Sequence, residues 1–395
     1  MKLLHIIASV DPETGGPVAG IVAQHGATLH MNVERHVVSL DAPDAPFLTD
    51  FPLPVHALGP KAAGPLKRYG YAPRFAPWLK QNIGAYDAAI VEGLWNYTAF
   101  GAAMVLPSSR TPYFLFTHGM MDPWFRRRYP IKHLAKQGSW LLCEGRLLSG
   151  ARAVWFTTEE ERRLARGQFH GWPPYREEVV GFGACAPPAL SSEQAQAFAA
   201  ALPALAGRPY LLFLSRIHEK KGCDLLLDAF ARHAAIAPDL QLVIAGPDQE
   251  GRVAALQARA KELGIDARVH WPGMLTGDAK WGAFYGARAF ILPSHQENFG
   301  IVVAEALACG KPALITDKVN IWREVDDAKA GLIETDDVAG VSNLIARFLA
   351  LAPEAEAAMS NHARACFARH FDVAATAPRL IESIKRHRAE TGARR

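Results

Sequence analysis

Ala289-Phe290-Ile291-Leu292-Pro293-Ser294-His295-Gln296-Glu297-Asn298-Phe299-Gly300-Ile301-Val302-Val303-Ala304-Glu305-Ala306-Leu307-Ala308-Cys309-Gly310-Lys311-Pro312-Ala313-Leu314-Ile315 is the stretch that decides the fold. Four apolar residues end at Pro293 and a polar loop follows. A helical pattern starts near Gly300 and stops at Cys309-Gly310, with Pro312 just beyond. Ala313–Ile315 is apolar again. A buried strand, a covering helix and a second buried strand are the repeating unit of a parallel sheet.

The same alternation runs outward in both directions. Tyr210–Leu214 and Leu240–Ala245 read as strands, as does the strand-like Arg268–Trp271, with helical patterns at Cys223–Ala235, Val253–Leu263 and Ala355–Ala368. In the first half, strands are expected at Leu3–Val10, His36–Leu40, Ala88–Val91, Tyr113–Phe116 and Ala153–Phe156. Helices are expected at Val18–Leu29, Tyr97–Met104 and Ile131–Leu148. Near-continuous apolar strands separated by helices need cover on both faces, so the class is α/β, a doubly wound Rossmann-like sheet used twice. A stretch rich in Ala, Pro and Ser, 184–208, with a short helix at Ser192–Ala201, separates a first domain (1–183) from a second (209–370). Two such domains facing each other would leave a ligand cleft at the carboxyl ends of their strands.

Composition narrows the class further. The 395 residues are 50% hydrophobic and 21% charged, which excludes a disordered or collagen-like chain. Lys plus Arg (43) exceeds Asp plus Glu (39) by only 4, too little for a dedicated nucleic-acid binder. The five cysteines lie no closer than the 38 residues from Cys185 to Cys223, which suggests neither a disulfide framework nor a zinc site. A reducing, cytoplasmic setting is expected. Met1–Val10 reads as a first buried strand rather than a secretion signal, because its apolar run holds His5 and ends in Asp11-Pro12-Glu13.

Several charged or Gly-rich elements fall at strand ends. Gly15-Gly16-Pro17 follows the first strand and precedes a helix, where glycine lets backbone approach a diphosphate, although the spacing is not GxGxxG. His118 follows Tyr113–Phe116, and Arg216 and Lys221 follow Tyr210–Leu214. Glu297 lies in a strand-end loop and Glu305 within an apolar helix. Taken singly, Glu297 could cap that helix and Glu305 could sit on a solvated face.

Glu297 and Glu305, with seven residues between them, are followed by Asn298-Phe299-Gly300 and by Ala306-Leu307-Ala308-Cys309-Gly310-Lys311-Pro312. Upstream stand Gly15-Gly16-Pro17, Thr117-His118-Gly119, Ser215-Arg216-Ile217-His218-Glu219-Lys220-Lys221-Gly222 and Ala245-Gly246-Pro247. Together, from about Met1 to Pro312, these resemble the retaining glycosyltransferases of the GT-B fold. The large bacterial family of mannosyl-, glucosyl- and N-acetylglucosaminyltransferases is the nearest part of it. The resemblance implies a nucleotide-diphosphate sugar, such as a UDP- or GDP-sugar, as donor. Arg216 and Lys221 would bind its diphosphate and stabilise the leaving group. Glu297 would contact the sugar hydroxyls, with Asn298, Phe299 and Gly300 presenting backbone amides nearby. Glu305 would bind the ribose. Gly15, Gly16 and Gly246 would line the donor site, Gly273 and Met274 would meet the base, and His118 would lie against the sugar and diphosphate. Lys221 is preferred over Lys220 because it directly precedes Gly222. The tail Phe371–Arg395 would be a helix crossing back to the first domain, and that crossing would hinge closure.

The family is held to react on one face of the sugar, so Glu297 is expected to orient rather than attack. With Arg216, Lys221 and helix amides at hand, no metal or other cofactor is expected. Acceptor chemistry would fall to the first domain. Trp95 and Asn96 end a strand, and Arg126, Arg127, Arg128 and Lys132 follow a Met/Trp/Phe cluster. Two readings of that basic segment stay open. One is an edge that meets anionic membrane, on the inner face of the plasma membrane, or a polyprenyl-diphosphate-linked acceptor; the other is a solvated helix start. The expected role is synthesis of cell-surface glycan, exopolysaccharide or lipopolysaccharide. The alternatives are a nucleotide-sugar epimerase and a donor-binding protein without turnover.

Overall fold

The computed structural model describes residues 1–59 and 69–392. The chain divides into two compact units, Met1–Gly183 with Val373–Arg395, and Ala184–Asp372. Each is described by itself.

The first unit is built on β1 (Lys2–Ile6), β2 (Glu34–Ser39), β3 (Val55–Ala57), β4 (Ala88–Glu92), β5 (Tyr113–Phe116), β6 (Ala153–Phe156) and β7 (Glu177–Val179). Among the described residues they form one sheet, in the order β3-β2-β1-β4-β5-β6-β7, with every pairing parallel. Successive side chains of a strand take opposite faces. Leu4, Ile6, Ala89, Val91 and Leu115 accordingly enter one core, and Leu3, Ala88, Ile90, Phe114 and Phe116 the other. That second core is completed by Leu380, Ile381 and Ile384 of the tail helix, Val373–Gly392. The tail therefore packs on the first unit; residues 393–395 of the expected segment lie outside the described residues.

The second unit carries β8 (Tyr210–Leu214), β9 (Gln241–Ala245), β10 (Val269–Gly273), β11 (Ala289–Leu292), β12 (Ala313–Thr316) and β13 (Gly331–Glu334). Their order is β10-β9-β8-β11-β12-β13, again parallel throughout. In each sheet the order reverses once, between β1 and β4 and between β8 and β11. Ligands bind such folds at the carboxyl ends of the two strands flanking that reversal.

Two expectations are corrected. Residues 184–208 are not a separate linker but part of the second unit. The helix Ser192–Ala201 packs so closely on Gly277–Gly286 that a Cβ on Gly282 would stand 2.1 Å from the Gln194 carbonyl oxygen. The helix expected at Ile131–Leu148 is three pieces: Pro130–Ser139, a π-helical turn Trp140–Glu144, and Gly145–Gly150. The wide turn buries Trp140, Cys143 and Glu144 while leaving Leu141 and Leu142 in solvent.

Candidate functional site

In the second unit, the loops that leave β8 and β11 meet. Gly222, at φ 65°, allows the contact, because a Cβ there would lie 2.1 Å from the Pro293 carbonyl oxygen. The His295 amide donates to the Lys220 carbonyl at 2.7 Å across the same junction. Glu297 is gripped by its backbone on both sides. Its N–H donates to the Lys318 carbonyl (3.0 Å), and its carbonyl accepts from the Asn320 amide (3.0 Å). With the main chain held, the carboxylate is aimed at Lys221, and the two form an ion pair. Both are largely desolvated, with side chains 19% and 8% exposed. Neighbouring Lys220 donates instead to Gln296 Oε1 at 3.2 Å.

The helix Ile301–Ala308 starts from Gly300, at φ 71°, with no side-chain cap on its N-terminus. Asn298 Oδ1 accepts from Asn320 Nδ2 at 3.4 Å. The Phe299 ring is buried edge-on against Phe371, so this residue serves the core with its side chain. Farther along the helix, Glu305 Oε1 accepts from Lys280 Nζ at 2.6 Å. Burial raises the Glu305 carboxyl pKa, and Lys280 opposes the rise. Its second oxygen, Oε2, is buried without a hydrogen-bond partner. A dry, unpartnered carboxylate oxygen costs about 1–3 kcal/mol, which a donating ligand hydroxyl would recover.

The remaining residues of this unit divide. Arg216 is exposed, and its guanidinium reaches Gln249 Oε1 at 3.3 Å. Gly246, expected to line the donor site, has a structural role of its own. At φ 143° its Cβ would sit 1.8 Å from the Ser215 carbonyl oxygen, so only glycine lets these loops run side by side. Gly273 ends β10 and accepts the Gly246 amide at 2.8 Å, while Met274 is 68% exposed. His295 pairs with Asp336 at 2.9 Å.

In the first unit, the loops leaving β1, β4 and β5 carry the polar groups. Gly15, at φ 88°, and Gly16 open the helix Gly16–Ala27, whose N-terminus has Pro17 in its first turn and no side-chain cap. His118 is held in left-handed backbone, φ 47°, a conformation that costs a non-glycine residue roughly 1–3 kcal/mol. Glu161 secures it from both sides, accepting from the Thr117 hydroxyl at 2.5 Å and the Gly119 amide at 2.6 Å. The His118 ring lies against Phe116 and Phe182. Its Nε2 meets Glu92 Oε2 at 2.6 Å. Glu92, the last residue of β4, also takes His5 Nδ1 on Oε1 at 2.8 Å, and Arg35 Nη1 stands 2.9 Å from His5 Nε2. Burial alone would raise the Glu92 carboxyl, but the hydrogen bonds and charge of His118 and His5 outweigh it and bring its pKa to about 2.

Glu92, Glu161 and Arg35 carry no sequence signal as strong as the paired glutamates. An acid closing the apolar run Ala88–Val91 and Thr158 three residues ahead of Glu161 are the only local hints. Asn96, expected to line the acceptor groove, caps a helix: its Oδ1 accepts from the Ala99 amide at 3.0 Å and the Thr98 hydroxyl at 2.5 Å. Trp95 lies under the Lys136 ammonium, 4.0 Å from its ring centroid. Arg126, Arg127, Arg128 and Lys132 are exposed, as are Ile131 (82%), Leu134 (71%) and Leu142 (84%). Among the described residues no group of three His, Cys, Asp or Glu side chains is placed to hold a metal ion, and no single helix is long and apolar enough to cross a membrane.

Comparison with known proteins adds two family matches that together take in most of the chain. Residues 17–183 match the glycosyl transferase 4-like domain, and residues 195–365 match the glycosyl transferases group 1. A D-inositol 3-phosphate glycosyltransferase of Saccharomonospora viridis is 35% identical over 173 residues, 42% of this chain and 40% of the relative. Another protein so named, from Rhodococcus jostii, is 32% identical over 247 residues, 59% of this chain and 52% of the relative. The matches thus span about half or less of these relatives' lengths. Among solved structures, that of HepE from Anabaena in complex with UDP and glucose aligns with 98% of this chain and 99% of its own. The TM-score is 0.75 at 19% identity, a likeness of GT-B fold.

Proposed function

The chain belongs to the group 1 glycosyltransferases, and on that premise we propose that it moves a sugar from a UDP- or GDP-sugar to a hydroxyl of a glycan or lipid-linked acceptor, with retention at the anomeric carbon. The observation that carries this reading is the desolvated Lys221–Glu297 pair at the reversal between β8 and β11. Lys221 offers its charge to the donor diphosphate, where it stabilises the leaving group as the glycosidic bond breaks. Glu297 accepts from sugar hydroxyls while its backbone keeps it still. Held beside a lysine, it orients the sugar and is not the nucleophile. The unpartnered Glu305 Oε2 suits a ribose hydroxyl. HepE, which shares the fold, is described in complex with UDP and glucose, so UDP-sugars lead the donor panel.

The test is a thermal-shift screen of nucleotide sugars, followed by turnover with the best donor in the presence of a chelator. A donor at 100 times its Kd raises stability by about 2.7 kcal/mol. We expect metal-independent transfer and a product with the donor's anomeric configuration by NMR. Full loss in chelator that magnesium restores would overturn metal independence. An altered free sugar formed without acceptor would identify an epimerase. Binding with neither transfer nor donor hydrolysis would identify a binding protein. Lys221→Ala and Glu297→Ala should each lower kcat about 100-fold or more; unchanged turnover in both would remove the site assignment.

Exposed Ile131, Leu134 and Leu142, in the same stretch of chain as exposed Arg126, Arg127, Arg128 and Lys132, favour one addition, contact with an anionic membrane surface. Co-sedimentation with vesicles containing anionic lipid should exceed that with zwitterionic vesicles and fall in Leu142→Glu. Equal recovery with both vesicle types would leave the solvated-helix reading.

A further inference from the structure

Thr28, Arg35, His5, Glu92 and His118 make a continuous polar row inside the first unit. Arg35 Nη2 reaches Thr28 Oγ1 at 3.3 Å, and Nη1 reaches His5 Nε2 at 2.9 Å. His5 Nδ1 then meets Glu92 Oε1 at 2.8 Å, and Glu92 Oε2 meets His118 Nε2 at 2.6 Å. Arg35, His5 and Glu92 are 1%, 0% and 5% exposed, yet only the last of the row, His118, is a residue for which the family resemblance implies ligand contact. A core would be simpler without two charges and an imidazole, since paired buried ions rarely beat apolar residues of the same size.

Donor logic assigns every proton in the row. A guanidinium can only donate, so His5 Nε2 must accept from Arg35. The His5 proton is therefore on Nδ1 and goes to Glu92 Oε1. An ionised Glu92 can only accept, so His118 carries its proton on Nε2. The ring's other nitrogen, Nδ1, has no hydrogen-bond partner among the described residues. We propose that Arg35, His5 and Glu92 are positioning residues that lock His118 in the Nε2–H tautomer, so that Nδ1 stands as a hydrogen-bond acceptor for a sugar hydroxyl at this edge of the first unit. This rests on the reading of His118 as a ligand contact. An Asp holding a catalytic histidine in one tautomer is the closest general precedent.

Glu92→Gln tests the idea because it reverses one bond and keeps the shape. Arg35 still pins His5 as donor through Nδ1, so His5 claims the Gln carbonyl oxygen. The Gln amide group then faces His118 Nε2, which must accept, and the His118 proton moves to Nδ1. The side chain thereby turns from acceptor to donor at its free edge. Histidine side-chain 15N–1H NMR should report the Nε2–H tautomer for His118 in the wild-type protein and Nδ1–H in Glu92→Gln. In turnover assays the variant should lose kcat at least tenfold, while its Kd for the free nucleoside diphosphate changes less than twofold. An Nδ1–H tautomer in the wild-type protein overturns the proposal whether or not the protein transfers sugar, and whether or not the variant folds. Wild-type kcat in a folded Glu92→Gln also overturns it. Absence of transfer by the wild-type protein overturns the functional reading instead and leaves the tautomer measurement to decide this one.

Discussion

Lys221 and Glu297 are 76 residues apart in sequence and share one desolvated ion pair, so neither can be altered alone without exposing the other. Removing one partner leaves an uncompensated charge, whereas removing both leaves none. The double variant Lys221→Ala/Glu297→Ala should therefore be more stable than the sum of the single losses implies, by about 1–3 kcal/mol in a urea-denaturation cycle. Additive losses would mean that the pair is not coupled. His5 and Glu92 make a second prediction at this scale. Burial holds the His5 pKa below its ordinary 6.5, against the pull of Glu92. The Glu92 carboxyl is brought from 4.5 to about 2. Both pKa values are depressed in the folded state, so the unfolded chain binds the extra protons as pH falls. Stability of the first unit should thus be greatest above about pH 6.5. It should decline on acidification below that value through His5, and again from 4.5 towards 2 through Glu92. Denaturant midpoints at pH 7, 5 and 3 that stayed level or rose would contradict this.

At the scale of elements, glycines set where loops can touch. Gly222 combines φ 65° with a carbonyl oxygen 2.1 Å from the position of its missing Cβ, whereas Gly15 has φ 88° but open space around it. Gly222→Ala should cost about 3 kcal/mol or more and part the Lys221 and Glu297 loops. Gly15→Ala meets no neighbour and should cost only the conformational term, about 1–3 kcal/mol for backbone at φ 88° and ψ −133°. Equal midpoints for the two would refute the packing role of Gly222. Central strands such as Tyr113–Phe116, Ala153–Phe156 and Tyr210–Leu214 were legible because burial on both faces demands an unbroken apolar run. Val55–Ala57 and Glu177–Val179 were not. They are three-residue edge strands whose pairing is a matter of backbone and whose composition is mixed. The π turn at Trp140–Glu144 was equally invisible, since it depends on Trp172 packing where a Cβ of Gly145 would be.

For the molecule as a whole, the division into units is also a division of stability. The tail helix buries Leu380, Ile381 and Ile384 in the first unit, and Ser383 and His387 hydrogen-bond Glu178 there at 2.7 and 3.2 Å. Deleting the chain after Asp372 removes three fully buried aliphatic side chains, about 5 kcal/mol or more against a typical domain stability of about 5–15. The truncated protein should show a lost or strongly lowered unfolding transition for the first unit. The fragment 184–372, with its own sheet and core, should still melt cooperatively. Calorimetry showing both transitions unchanged after truncation would contradict this.

Apolar runs and stop signals settled the α/β class and the two sheets, because burial and helix termination are local demands written residue by residue; the family entered as a resemblance carried by the motifs around Glu297 and Glu305. Which groups act together was decided only in three dimensions. His5, Arg35, Glu92 and His118 come from three strands and a loop, and a hydrogen bond spanning 87 residues exists only once parallel pairing brings β1 and β4 side by side. Pairing of that kind depends on chain register and desolvation, and neither is carried by any short stretch of sequence.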